Sequence, residues 1–241
     1  EGEIPVELDD NGQILELVRT LQRNLSAPQI ENFPPMYSGL LGYLGYDTVR
    51  EIEELPMPAN DDLQVPDAIL SVIGEVAAFD HWSQRVFLIA NAIVKPHSSE
   101  SEIKDSYYET KNRLDSLMLD GAKPLSEPLL DPPNLDTDLI DVHPTMSQGD
   151  YCGIVEKAKN YILAGDIFQV VLSQRFDFNL EANPFDVYRV LRQINPSPYM
   201  YFVKNEEVTL VGCSPEPLIQ LRDNTITSRP IAGTRNRGLS Q

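Results

Sequence analysis

The sequence predicts an α+β fold with largely antiparallel sheets and packed helices. Strand-like runs follow one another through hairpin-length turns, and helical patterns are grouped between them, which favours antiparallel pairing over a parallel doubly wound sheet. A proline-rich acidic stretch divides the 241 residues into an N-terminal α+β portion (1–122), a linker (123–146) and a C-terminal portion (147–241).

Across residues 10–26, Ile14, Leu15, Leu17, Val18 and Leu21 recur at helical spacing and predict an amphipathic helix. The run from Ser38 to Tyr46 spaces Gly39, Gly42 and Gly45 three apart in an apolar, aromatic stretch. That spacing is not the G-x-G-x-x-G of a dinucleotide loop, and no Walker loop occurs elsewhere. Glycines in such a run predict a strand with close backbone packing. Residues 66–78 and 85–94 are two β-rich runs around a polar turn, Asp80 to Gln84, and predict a hairpin. Ile103, Tyr107, Leu114 and Leu117 mark a second amphipathic helix over 101–119.

Past the linker, Ser147 is a candidate N-cap for a helix over 148–163 that Gly165 would end. Residues 167–178 alternate like a half-buried strand. Asn183-Pro184 opens a further helix, with proline in the first turn where it is tolerated. Strands are then predicted at 199–203, 207–213 and 218–221, the last returning through Asp223-Asn224 into 225–228.

Composition narrows the function classes. With 37 acidic against 19 basic residues, the net charge of −18 repels nucleic acid and anionic lipid, so neither is an expected partner. A small anionic substrate would need a local basic pocket or a metal ion. Cys152 and Cys213 have no nearby partner, which points away from a disulfide framework and toward a reducing cytoplasm. His81, His97 and His143 are scattered without metal-ligand spacing. No run reaches the ~18 apolar residues of a membrane span.

One cluster stands against the acidic background. Arg229, Arg235 and Arg237 flank Gly233-Thr234, with no carboxylate nearby in the sequence. Guanidinium groups donate paired, parallel hydrogen bonds to carboxylates, and glycine lets backbone approach a ligand. The chemistry suits a carboxylate-bearing small molecule, and it equally suits a basic surface turn at the end of a strand. Glu216, after Ser214-Pro215, is read as a capping or turn residue rather than a catalytic carboxylate or metal ligand.

Four stretches occur together, in order: Gly39 to Tyr46, Ala164 to Phe176, Asn195 to Tyr201, and Gly212-Cys-Ser-Pro-Glu216, followed by Pro230-Ile-Ala-Gly-Thr-Arg-Asn-Arg-Gly238. Together they resemble the chorismate-binding enzymes, and among them the anthranilate synthase large subunits, across roughly residues 37–238. The resemblance implies an anthranilate synthase-like fold, incomplete here, and a lyase that turns chorismate and ammonia into anthranilate and pyruvate in tryptophan biosynthesis. Ammonia would come from a glutamine amidotransferase subunit. It implies chorismate contacts at Gly233 and Thr234, and contacts to tryptophan, the feedback inhibitor, at Pro198, Tyr199 and Met200. Ala232 stands where related aminodeoxychorismate synthases carry a lysine able to act as nucleophile. Alanine supplies none, so ammonia would add directly to the ring.

The resemblance also implies parts that these residues do not supply. The Mg²⁺ ligands and the histidine of the reaction are expected downstream of Gln241, and half of the tryptophan pocket upstream of Glu1. No catalytic residue or metal ligand is therefore expected within the chain, which reads as an internal fragment inactive by itself. The rivals are synthases of aminodeoxychorismate, aminodeoxyisochorismate or isochorismate and, from another class, a non-catalytic tryptophan-binding or subunit-docking fragment.

Overall fold

The structure is a computed structural model that describes residues 13–56, 60–126, 128–131, 134, 140–231, 233 and 236–238. The chain divides into two compact units, Glu1–Glu127 and Pro128–Gln241. Each combines helices with two-stranded antiparallel sheets, so the fold class follows the expectation.

The first unit opens with helix α1, Ile14–Asn24, whose Leu21 is buried. Gln13 provides no side-chain cap. The Glu51 carboxylate does so instead, accepting hydrogen bonds from the backbone N–H groups of Ile14 and Leu15 (2.5 and 2.9 Å). An anion there meets both the orphan donors and the positive end of the helix dipole. Glu51 ends a 3-10 turn, Tyr46–Glu51, that follows strand β1, Leu40–Leu44.

Strand β1 pairs antiparallel with β2, Ala68–Val72. Gly42 sits opposite Leu70, and a Cβ there would lie 1.8 Å from the Ile69 carbonyl oxygen. The glycine run is thus the closely packed strand that its spacing predicts.

The β-rich run over 66–78 is not one strand but parts of two. Strand β2 stops at Val72, and β3, Glu75–Asp80, pairs with a different partner, β4, Arg85–Ala90. The break lies where the chain passes between sheets: Ile73 N–H donates to Gly39 O (2.9 Å), and Gly74 O accepts from Asn91 N–H (2.7 Å). Continuous apolar patterning cannot report such a change of partner. The β3–β4 hairpin turn falls at Asp80, as predicted, and its carboxylate accepts from Trp82 N–H and Ser83 N–H. Hydrogen bonds from Ser83 hold that carboxyl below the ordinary aspartate range.

Helix α2, Glu100–Gly121, packs on β4 and starts with a reciprocal capping box between Ser99 and Glu102. Arg113 on α2 donates to Asn91 O (3.1 Å) and pairs with Glu75 (3.6 Å). Ile89 on β4 is the other buried apolar side chain among the described residues.

The second unit contains α3, Gln148–Ala164, capped by Ser147 accepting from Asp150 N–H and closed at Gly165, as the sequence predicts. Helix α4, Pro184–Ile194, starts at Asn183, whose side chain accepts from Phe185 N–H (2.9 Å). Two short ladders are β5, His143–Pro144, with β6, Phe176–Asp177, and β9, Gln220–Arg222, with β10, Thr225–Thr227. Asp223 and Asn224, between β9 and β10, take φ of 47° and 62°, the left-handed pair of a tight hairpin.

The strand expected at 167–178 forms only at its end. Among the described residues, 168–174 join no strand ladder, and Phe168 and Val171 are 100% and 85% exposed. Alternation gives a side chain a face, but a ladder also needs a partner backbone, and only Phe176–Asp177 meets one.

Candidate functional site

The expected site residues fall in two places in the second unit. The first is the start of strand β7, Tyr199–Lys204, paired residue for residue with β8, Thr209–Ser214. The hairpin closes locally: Asn205 Oδ1 accepts from the N–H groups of Glu207 and Val208, both at 2.9 Å. Helix α4 packs on both strands. Phe202 on β7 meets Phe185 of α4 edge-on, with ring centroids 5.2 Å apart, and Tyr188 at 6.0 Å. Such ring pairs contribute about 0.5–1.5 kcal/mol beyond the area they bury.

This arrangement separates neighbouring side chains. Successive residues of a strand point to opposite faces, so Met200 shares the helix-covered face with Phe202, whereas Tyr199 and Tyr201 face away. The half-buried Met200 and the exposed Tyr199 agree with that alternation. Pro198, at the corner between α4 and β7, precedes both. A ligand touching all three would therefore sit at the end of the strand and not on one of its faces. Tyr201 lies across Gly212 on the partner strand; a Cβ at Gly212 would come within 2.2 Å of the tyrosine ring.

The second place is the basic turn. Gly233 has φ +87°, a left-handed conformation that costs other L-residues about 1–2 kcal/mol. Among the described residues, no atom beyond its chain neighbours lies within 4 Å of a Cβ built there, so the backbone conformation itself calls for glycine. Arg229 and Arg237 are exposed on either side. Ala232, Thr234 and Arg235 lie outside the described residues.

The structure brings two further residues to this turn. The Glu216 carboxylate Oε1 accepts from the backbone N–H of Ile231 (3.0 Å). The Gln169 side-chain amide donates to the carbonyl oxygen of Ile231 (2.9 Å). Glu216 is itself fixed by Ser214, whose hydroxyl accepts from Glu216 N–H (3.3 Å) and lies 3.0 Å from Glu216 O, to which it donates. The turn role expected of Glu216 is therefore real. In addition, its carboxylate reaches a segment that seemed, in sequence, to have no acidic neighbour. The contact joins residues 15 apart, and Gln169 joins the same residue across 62 positions. A short polar side chain in an exposed stretch carries no mark of such a partner, so neither was legible.

Other features do not compete as anion sites. A cavity of about 600 Å³ in the first unit is lined by Leu21, Phe33, Tyr37, Ile73, Ile89 and Leu114, among others, with no charged side chain. Among the described residues, no group of three or more His, Cys, Asp or Glu is placed to hold a metal ion. Cys152 and Cys213 are both free. No described helix is long and apolar enough to cross a membrane.

Comparison with known proteins shows the family to which the chain belongs. Residues 5–241 match the model of the chorismate binding enzyme family. The chain is 36% identical over 244 residues to anthranilate synthase component 1 of Arthrobacter globiformis, covering 98% of this chain and 46% of that protein. It is 40% identical over 229 residues to the component 1 of Cereibacter sphaeroides, covering 94% of this chain and 44% of the relative. A solved structure, anthranilate synthase component I from Streptococcus pneumoniae TIGR4, superposes with a TM-score of 0.71 at 28% identity, covering 92% of this chain and 50% of that one. The chain thus spans about half the length of the relatives it matches.

Proposed function

Because the chain belongs to the chorismate-binding enzyme family, we propose that it is part of an anthranilate synthase large subunit, with Gly233 and Thr234 contributing one wall of the chorismate site. The observation that carries this reading is the glycine turn. Its backbone lies in the left-handed region, and Arg229 and Arg237 flank it in a chain of net charge −18. Guanidinium groups and backbone N–H donors there suit the carboxylates of chorismate.

In this reading the whole enzyme adds ammonia, delivered by a glutamine amidotransferase subunit, to the chorismate ring as the ring hydroxyl leaves as water. Loss of the enolpyruvyl group as pyruvate then leaves anthranilate, and the reaction belongs to the lyases of tryptophan biosynthesis. Ala232, which offers no nucleophile, supports direct attack by ammonia rather than a covalent intermediate on the enzyme. The resemblance implies Mg²⁺, which would supply charge neutralisation at a substrate carboxylate. The resemblance puts its ligands outside this chain, and no step is derived through it. Tryptophan would bind at the end of β7, against Pro198, Tyr199 and Met200, and inhibit. Free cysteines suit the reducing cytoplasm proposed as its location.

Residues 1–241, spanning about half the length of relatives, are proposed to be inactive alone. The test is product analysis of the full-length protein with chorismate, ammonium and Mg²⁺. Anthranilate and pyruvate in equal amounts support the reading. An aminated product without pyruvate would indicate an aminodeoxychorismate- or aminodeoxyisochorismate-type synthase, and a nitrogen-free isomer an isochorismate synthase. Tryptophan binding without any turnover would leave a sensor or docking module.

A further inference from the structure

The proline-rich stretch over 123–146 reads in sequence as a linker, yet its described parts are tied to the second unit at both ends. Proline has no N–H, so a segment carrying Pro124, Pro128, Pro132 and Pro133 is gripped mainly through its carbonyl oxygens, and only a donor can do that. Arg189 on α4 is such a donor. Its Nη2 donates to the carbonyl oxygen of Pro128 (2.7 Å), while Nη1 donates to the Asp186 carboxylate (2.8 Å), one helical turn back. The rigid fork of a guanidinium suits this double role: the ion pair sets the plane of the fork, and the second arm takes the carbonyl. The Arg189 side chain is 21% exposed, so these bonds sit partly out of water, where they are stronger. Just past the grip Leu130 is half-buried. At the other end, His143–Pro144 pairs with Phe176–Asp177, Thr145 N–H donates to Arg175 O (3.0 Å), and the Gln174 side-chain amide donates to Met146 O (3.2 Å).

We propose that Arg189 makes this stretch a strap of the second unit and not a free tether: residues 128–131 and 140–146 belong to that unit, and the hinge between the units is confined to 124–126. Helix α2 closes ahead of the hinge, with Ala122 N–H donating to Leu119 O (3.3 Å) and Lys123 N–H to Asp120 O (3.1 Å). The strap is fastened to α4, the helix that backs the β7–β8 hairpin through Phe185 and Tyr188. A movement at the hinge is therefore taken up first by the helix behind the corner at Pro198. The strap stands apart from the chorismate reading.

The test is the mobility of a nitroxide spin label in the full-length protein, placed singly through Leu125→Cys or Leu129→Cys in a background without other cysteines. Leu125 and Leu129 are 89% and 94% exposed, so a difference between the two sites reports anchoring of the backbone and not burial. The label at 129 should tumble about threefold more slowly than the label at 125, and Arg189→Ala should bring it to the rate at 125. Arg189→Lys keeps the charge but puts a single nitrogen in place of the fork, so it should fall between. A label at Leu163→Cys, exposed on α3, should keep its spectrum in both variants and shows that the unit has stayed folded. Where Arg189→Ala disturbs that label, Arg189→Lys carries the decision. Equal mobility at 125 and 129 with Arg189 in place overturns the strap. Slow motion at 129 that survives the variants overturns Arg189 as its fastening.

Discussion

Two stretches of the second unit, Ile167–Asp177 and Tyr199–Ser214, are both apolar and both alternate, yet they end in opposite conditions. The second is a full hairpin with every residue of β7 paired, Phe202 set against the aromatic face of α4, and a turn locked by Asn205. The first joins no ladder over 168–174 among the described residues, with Phe168 and Val171 in solvent, and pairs as a strand where Phe176–Asp177 meets His143–Pro144. Their propensities do not separate them. The distance to a partner does: β8 follows β7 after a short turn, whereas β5 lies on the far side of helix α3. Closing a longer loop costs more entropy before any ladder bond repays it. A strand pattern with a partner next to it specifies a sheet; the same pattern without one specifies only an extended chain.

The comparison can be broken first at the aromatic contact. Phe202→Ala should destabilise the hairpin by about 2 kcal/mol, less than the 3–5 kcal/mol of a fully buried phenylalanine because Phe202 is only half-buried. Hydrogen exchange of the β7–β8 amides measures it, and unchanged protection would mean that α4 does not support the hairpin. Next comes Gly212→Ala, at about 1 kcal/mol, the low end of overpacking, because the clashing atoms are at the far end of the exposed Tyr201 ring and can swing away. A drop in thermal midpoint that vanishes in a Tyr201→Ala background would confirm the contact. In the stretch outside the ladders, Val171→Ser should shift stability by less than about 0.5 kcal/mol; a larger loss in the same melting experiment would show that 168–174 is packed.

The smallest effect concerns α2, whose order rests on a local cap. Hydrogen bonds from Ser99 hold the Glu102 carboxyl below the ordinary glutamate range. Its contribution is therefore complete above the ordinary value and is lost as pH falls through the lowered folded-state value. Fraying of the first turn of α2 on acidification, read from amide shifts of residues 100–103, checks this, and fraying that begins on alkaline titration would contradict it.

The same distinction between local and distant partners explains what was legible in the sequence. Ser147, Asn183 and Gly165 act within three residues of themselves, and each does what its residue type predicts. The hairpins at Asp80 and at Asp223-Asn224 are equally local. By contrast, Glu51 capping α1, the change of partner at Gly74, and the engagement of Ile231 by Gln169 and Glu216 all depend on segments far apart in the chain. At the candidate site this left the glycine and the arginines readable, while the two side chains that hold the turn were not. Alternation also splits Tyr199 from Met200, which a motif read as three consecutive residues does not reveal.

Equilibrium binding of chorismate to full-length Gly233→Ala protein tests whether the turn at Gly233 receives chorismate. Alanine at φ +87° is strained by about 1–2 kcal/mol, so the turn should leave its present conformation and the affinity should fall about tenfold. Affinity equal to that of the wild-type protein would contradict the account.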